Sequence, residues 1–202
     1  MDDVFAMVVL AAALGGAVGC ADNIRPEAEL DAGGEGDGAA PTGSVQTVRN
    51  PDGTYTTRLD AAADARWSRV DLETGLAAET GWDLAGQRFH LMINGGVSGD
   101  GGVEVARVDG MLADVTTAPT TGWLTDAVDG DDPNPVPDYA FEQGDGWYDY
   151  HPQTHVLTPK PIVWVIRTTE DHMIKLAIES YYDDAGTSAQ FELHWAPLEG
   201  GS

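Results

Sequence analysis

Two histidines four positions apart, His151 and His155, stand in the proline-flanked stretch Tyr150-His-Pro-Gln-Thr-His-Val-Leu-Thr-Pro159, beside Trp147 and Tyr148. Imidazole is a borderline donor that suits several transition metals. The spacing matches a zinc pair on one helix face, but Pro152 disfavours that helix and no Glu follows His151, so protease-type zinc chemistry is not indicated. His90 and His194 alternate with apolar residues as outward strand positions do, and His172 follows a tight turn, where side chains are usually solvated. Ser68, Ser98 and Ser180 lie in no nucleophile elbow, and Gly-x-Ser-x-Gly does not occur. Nothing among the 34 acidic residues selects a glycosidase-like carboxylate pair. An enzyme is not expected.

Two further segments invite a site and fail its spacing. Asn94 to Gly102, NGGVSGDGG, is glycine-dense like a phosphate cradle. It lacks the Lys-Ser/Thr and the following helix of a P-loop, so a sharply turned or mobile loop is expected. Thr116 to Pro137 is irregular and acidic, with Asp126, Asp129, Asp131 and Asp132 ahead of Pro133. An EF-hand would need Asp or Asn where Pro133 stands and a Gly just after, so a solvated loop is expected rather than a calcium site.

The one cysteine, Cys20, excludes an intrachain disulfide. It directly follows Ala17-Val18-Gly19 and an uncharged run from Phe5 to Val18. That run is shorter than the roughly 20 residues a permanent span requires and close to the apolar core of a signal peptide. Small residues and then cysteine resemble a bacterial lipobox, which implies lipidation of Cys20 and a place in the outer membrane. The segment departs from the pattern by opening Met1-Asp2-Asp3 where signal peptides carry Lys or Arg. Residues 21–44, rich in Ala, Gly, Asp and Glu, hold only Ile24 and Leu30 as large apolar residues and read as a solvated tether.

The elements that must position any site therefore come from residues 45–198, ahead of a short 199–202 tail. A net charge of −24 disfavours nucleic acid and anionic lipid surfaces. With 42% hydrophobic residues, 25 glycines and 11 prolines, the composition predicts a turn-rich fold with a real core. Val45–Val48 and Thr54–Leu59 read as a hairpin around Asn50-Pro-Asp-Gly53. Asp60–Ala65 reads as a helical turn, and Trp67–Leu72, Trp82–Asn94 and Val103–Val108 as strands. Residues 162–168, 172–182 and 188–195 form a predicted antiparallel meander, with Ile174, Leu176 and Ile178 on one core face and Phe191, Leu193 and Trp195 on another. The fold class expected is mainly β, antiparallel hairpins in a single sandwich-like domain with little helix.

Several segments, in order, resemble the HmuY family: Trp67-Ser-Arg-Val-Asp-Leu-Glu-Thr-Gly75; Gly81-Trp-Asp-Leu84 with Arg88 and Asn94-Gly-Gly-Val-Ser-Gly99; Trp147-Tyr-Asp-Tyr150; Val163-Trp-Val-Ile-Arg-Thr168; and Lys175-Leu176, Ser180-Tyr-Tyr182 and Gly186. The resemblance implies a surface-anchored, non-enzymatic β domain that captures haem and passes it toward an outer-membrane haem receptor. It also implies two axial ligands, His or Met, from loops on either side of an apolar cleft. One of His151 and His155 is the expected iron ligand, with Trp147 and Tyr150 as ring walls. The other ligand is expected upstream, where Met111 is the only soft donor between Gly95 and Tyr150. The competing expectation is a structural, protein-binding or glycan-binding lipoprotein on the same scaffold without haem.

Overall fold

The computed structural model describes residues 44–130 and 136–198. The export segment with Cys20, the tether up to residue 43, Asp131 to Pro135 of the acidic loop and the 199–202 tail lie outside the described residues. Among the described residues no helix is long and apolar enough to cross a membrane.

The chain opens with the predicted hairpin, β1 (Val45–Arg49) and β2 (Tyr55–Asp60). Gly53 supplies the positive φ of 89° that its turn requires. A small sheet follows: β3 (Ser68–Asp71), β4 (Leu76–Ala77), β5 (Leu84–Gln87) and β6 (His90–Ile93), in the order β4-β3-β5-β6. The chain then adds β7 (Glu104–Asp109), a single 3-10 turn at Leu112–Asp114 and β8 (Trp123–Leu124). Next is a two-stranded ribbon, β9 (Tyr148–His151) with β10 (Val156–Pro159). The meander β11 (Ile162–Arg167), β12 (Met173–Tyr182) and β13 (Ser188–Pro197) closes the domain. All these pairings are antiparallel, and the large sheet runs β1-β2-β13-β12-β11-β7-β8.

Period-2 alternation builds the core. One face of the large sheet presents Leu59, Trp164, Ile166, Ile174, Leu176, Phe191, Leu193 and Trp195 to Val70, Leu72, Leu84, Leu91 and Ile93 of the small sheet, making the expected sandwich. Burying each large apolar side chain contributes about 1.5–3 kcal/mol. The indole N–H of Trp195 donates to Thr57 Oγ1 at 2.8 Å, so its polar atom is not stranded. The other face of the large sheet is covered at Val163 and Val165 by Val115, Leu112 and Leu198.

The meander departs from alternation once. Burial runs 174, 176, 178 and then 181, because the β12–β13 register shifts around Ser180. The bulge turns Tyr181 inward and leaves Tyr182 half-buried. Ser180 Oγ accepts from Tyr182 N and donates to Tyr182 O, satisfying the backbone where the ladder breaks.

Three expectations are corrected. Trp82–Asn94 is not one strand but the hairpin of β5 and β6, folded at Arg88-Phe89 with Arg88 at φ 54°. Alternation alone cannot see a two-residue turn that lacks glycine. Residues 61–65 form no helical turn; Asp60 Oδ1 accepts from Ala62 N and holds the chain in a local turn instead. Asp126, read as part of a solvated acidic loop, is 1% exposed, for reasons given below.

Candidate ligand-binding site

The stretch that drew attention in the sequence is the β9–β10 ribbon. Its register pairs His151 with Val156 and Tyr148 with Pro159, so both histidines sit at the tip. Pro152, unable to continue a strand ladder or a helix, starts the reversal, and the amides of Thr154 and His155 donate to His151 O at 3.2 and 2.7 Å. His155 takes a φ of 56° to close the turn.

Both imidazoles are exposed. The Tyr150 hydroxyl lies 2.5 Å from His155 Nδ1. This contact orients the ring; in the tautomer with Nδ1–H donating to the phenol oxygen, Nε2 keeps a lone pair, the way metal-binding histidines are braced. His151 makes no side-chain hydrogen bond or ion pair among the described residues. Tyr150 is 50% and Val156 38% exposed, giving the tip an apolar flank.

Trp147 is placed differently from the expectation of a ring wall. It is wholly buried, packs on Tyr181 and Phe191, and its indole N–H donates to Phe89 O at 3.2 Å. The indole roots the ribbon in the core rather than lining an open slot. Leu157 N to the Tyr182 hydroxyl (3.0 Å) and Lys160 N to Trp147 O (2.9 Å) complete that root.

Met111 begins the 3-10 turn and is 71% exposed. The β7–β11 register pairs Asp109 with Ile162, so the segment carrying Met111 leaves the large sheet at the end where the ribbon enters β11. Arg107 strengthens that juncture, reaching Asp109 at 3.4 Å and Asp145 at 3.7 Å. Beyond Asp109 the chain crosses the outer face of the large sheet, where Leu112 and Val115 cover Val163 and Val165, whereas the ribbon roots in the inner core through Trp147, so the Met111 segment and the ribbon are not brought together.

The other histidines have partners. His90 Nδ1 is 2.9 Å from Glu142 Oε1, and its ring lies between Phe89 and Tyr139. His194 Nε2 is 2.8 Å from Thr54 Oγ1. His172 meets Glu73, a contact no sequence pattern announces. A cleft of about 620 Å³ also escaped the sequence reading; Arg49 and Lys175 bring cationic groups, and His194 an imidazole, to apolar walls that include Val115 and Leu198. Its sides come from four separate segments, so no local pattern marks it.

The glycine-dense loop is a fastener. Its coils wrap the Asn94 side chain, which donates to Trp82 O (2.9 Å) and accepts from Gly101 N (3.1 Å). A Cβ on Gly99 or Gly101 would collide with that side chain, and one on Gly96 would fall 1.9 Å from Asp126 O. Asp126 in turn accepts from Ile93 N at 3.1 Å and Ala140 N at 2.7 Å. Burial pushes its carboxyl up to about 6 against the pull of those hydrogen bonds. These glycines admit backbone and side chain, not phosphate.

Comparison with known proteins agrees with this fold. No curated protein sequence matches the chain. Among solved structures, a candidate lipoprotein of Bacteroides fragilis aligns at a TM-score of 0.59 and 18% identity, over 76% of this chain and 94% of its own. A protein of Bacteroides vulgatus described as HmuY-like and haem-binding gives 0.58 and 16%, over 76% and 98%. The apo form of a Tannerella forsythia HmuY analogue gives 0.57 and 13%, over 77% and 98%. Identities this low speak to the fold alone. The sequence family described as HmuY protein matches residues 63–195, from just ahead of β3 to Trp195 in β13, and the chain therefore belongs to the HmuY family.

Proposed function

We propose that the protein is a lipid-anchored surface module that captures haem without enzymatic chemistry, for transfer to an outer-membrane receptor. Cys20 would carry the lipid, and the chain up to residue 44 would hold the β domain away from the bilayer. The observation that carries the reading is the exposed His155 imidazole at the ribbon tip, in contact with the Tyr150 hydroxyl. One borderline nitrogen and one thioether are an axial pair known to suit haem iron. His151 is the alternative nitrogen at the same tip. The donor chemistry fits the ligand, Tyr150 and Val156 offer apolar contact, and family membership supports binding over catalysis.

The test is a visible-region titration of the purified domain with hemin. The expected result is a sharpened Soret band at one equivalent, weakened in His155→Ala and in Met111→Ala. A band that persists in His155→Ala and is lost in His151→Ala transfers the ligand role to His151. No spectral change at stoichiometric hemin rejects haem binding.

One observation favours a second reading, an interaction lipoprotein on the same scaffold without haem. Trp147 is committed to the core, and both ribbon imidazoles face solvent, so the aromatic slot expected from the sequence is not preformed. A flat hemin titration together with retention of a protein or glycan partner by the same domain would establish that alternative.

A further inference from the structure

Away from the ribbon, the turn after β3 packs against the turn between β11 and β12. Asp83, wholly buried, staples the two: Oδ2 accepts from Leu72 N and Oδ1 from Thr169 N, each at 2.8 Å. Beside it lies Glu73, whose side chain is only 5% exposed; neither buried carboxylate oxygen makes a well-formed hydrogen bond, although the Thr168 hydroxyl and the Asp83 carboxyl lie against it. His172 Nδ1, also buried and unpaired, is 3.5 Å from Glu73 Oε1 and 4.0 Å from Glu170 Oε2. The ligand atoms of these three residues all lie within 4.8 Å of one another.

Stranding a buried polar atom costs about 1–3 kcal/mol, and more for charged groups. Here three stranded atoms face one another, with the Asp83 carboxyl alongside. A cation at their centre would satisfy all of them. We propose that Glu73, Glu170 and His172 form a binding site for a divalent transition metal of the zinc class, independent of the haem reading.

The donor set selects that class. Calcium and magnesium take shells made of oxygen, whereas one imidazole with carboxylates suits zinc. Bonds of 2.0–2.2 Å in a tetrahedral shell place neighbouring ligand atoms about 3.3 Å apart. The Glu73–His172 separation already approaches this. Glu170, with 65% of its side chain exposed, is free to swing inward. Three protein ligands leave a fourth position for water or a partner's side chain.

The test is calorimetric titration of the chelator-stripped full chain with zinc chloride at neutral pH. One saturable site is expected, retained in the His151→Ala/His155→Ala double variant and weakened by more than about tenfold in Glu73→Gln and in His172→Ala. Glu73→Gln keeps the side-chain shape and removes the ligating carboxylate, so it carries the test if His172→Ala does not fold. Absence of saturable binding overturns the proposal. So does binding that survives Glu73→Gln, binding that vanishes in the ribbon double variant, or calcium binding as tight as zinc.

Discussion

Asp126 and Glu73 are both buried carboxyls that sit where turns meet a sheet, and the fold treats them in opposite ways. Asp126 receives two backbone N–H donors and ties the end of β6 to the segment after the acidic loop. Glu73 receives no such tie from a distant strand and faces a second acid and an imidazole. Burial raises both, to about 6 and about 8; at Asp126 amides from two distant segments oppose it, whereas at Glu73 the Asp83 charge adds to it and the Thr168 hydroxyl opposes it. A carboxyl satisfied by the backbone is a fastener, whose removal unties a loop. A buried carboxyl set beside a second acid and an imidazole is one that a cation or a proton can satisfy.

The contrast can be broken at three points. The largest effect is expected from Gly96→Ala, which places a Cβ 1.9 Å from Asp126 O at a residue with φ 61°. Left-handed strain and overpacking together should cost about 3–4 kcal/mol, read as a lower urea midpoint at unchanged slope. Asp126→Ala comes next. Stranding the amides of Ile93 and Ala140 should cost about 2–3 kcal/mol, partly offset because a buried charge is also removed. A loss below about 0.5 kcal/mol would mean that water replaces the carboxylate and that Asp126 is not the fastener.

The smallest effect has the opposite sign. The folded Glu73 holds its proton up to about 8 while the unfolded chain releases it near the ordinary 4.5, so the native state binds more protons between these values. Stability contributed by this group therefore falls as pH rises through that window. In the presence of chelator, Glu73→Gln should raise Tm at pH 8 by about 2–4 °C and leave it nearly unchanged at pH 5. A Tm that drops at both pH values would mean that the carboxyl is satisfied in solution, and the distinction between the two acids would fail.

The same division separates what could be read along the chain from what could not. The meander was legible because Ile174, Leu176, Ile178, Phe191, Leu193 and Trp195 repeat with the period of a strand, and the first hairpin because Asn50-Pro-Asp-Gly53 has turn chemistry. The Arg88-Phe89 turn was not, since neither residue is a turn former and only the pairing of Gln87 with His90 reveals it. At the candidate ligand site, the exposed tip of the ribbon follows from Pro152 and its local hydrogen bonds. The burial of Trp147 does not, because it depends on Tyr181 and Phe191, and Tyr181 turns inward only through a bulge.

Local order along the sequence therefore determined the β class, the main hairpins, the family and the positions of the donor residues, since strand period and turn preference act over a few neighbouring residues. Tertiary structure alone decided which donors meet. It turned Trp147 from a wall into a root and set His172 against Glu73. Such meetings depend on strand register and turn packing between distant segments, and no short-range pattern encodes them.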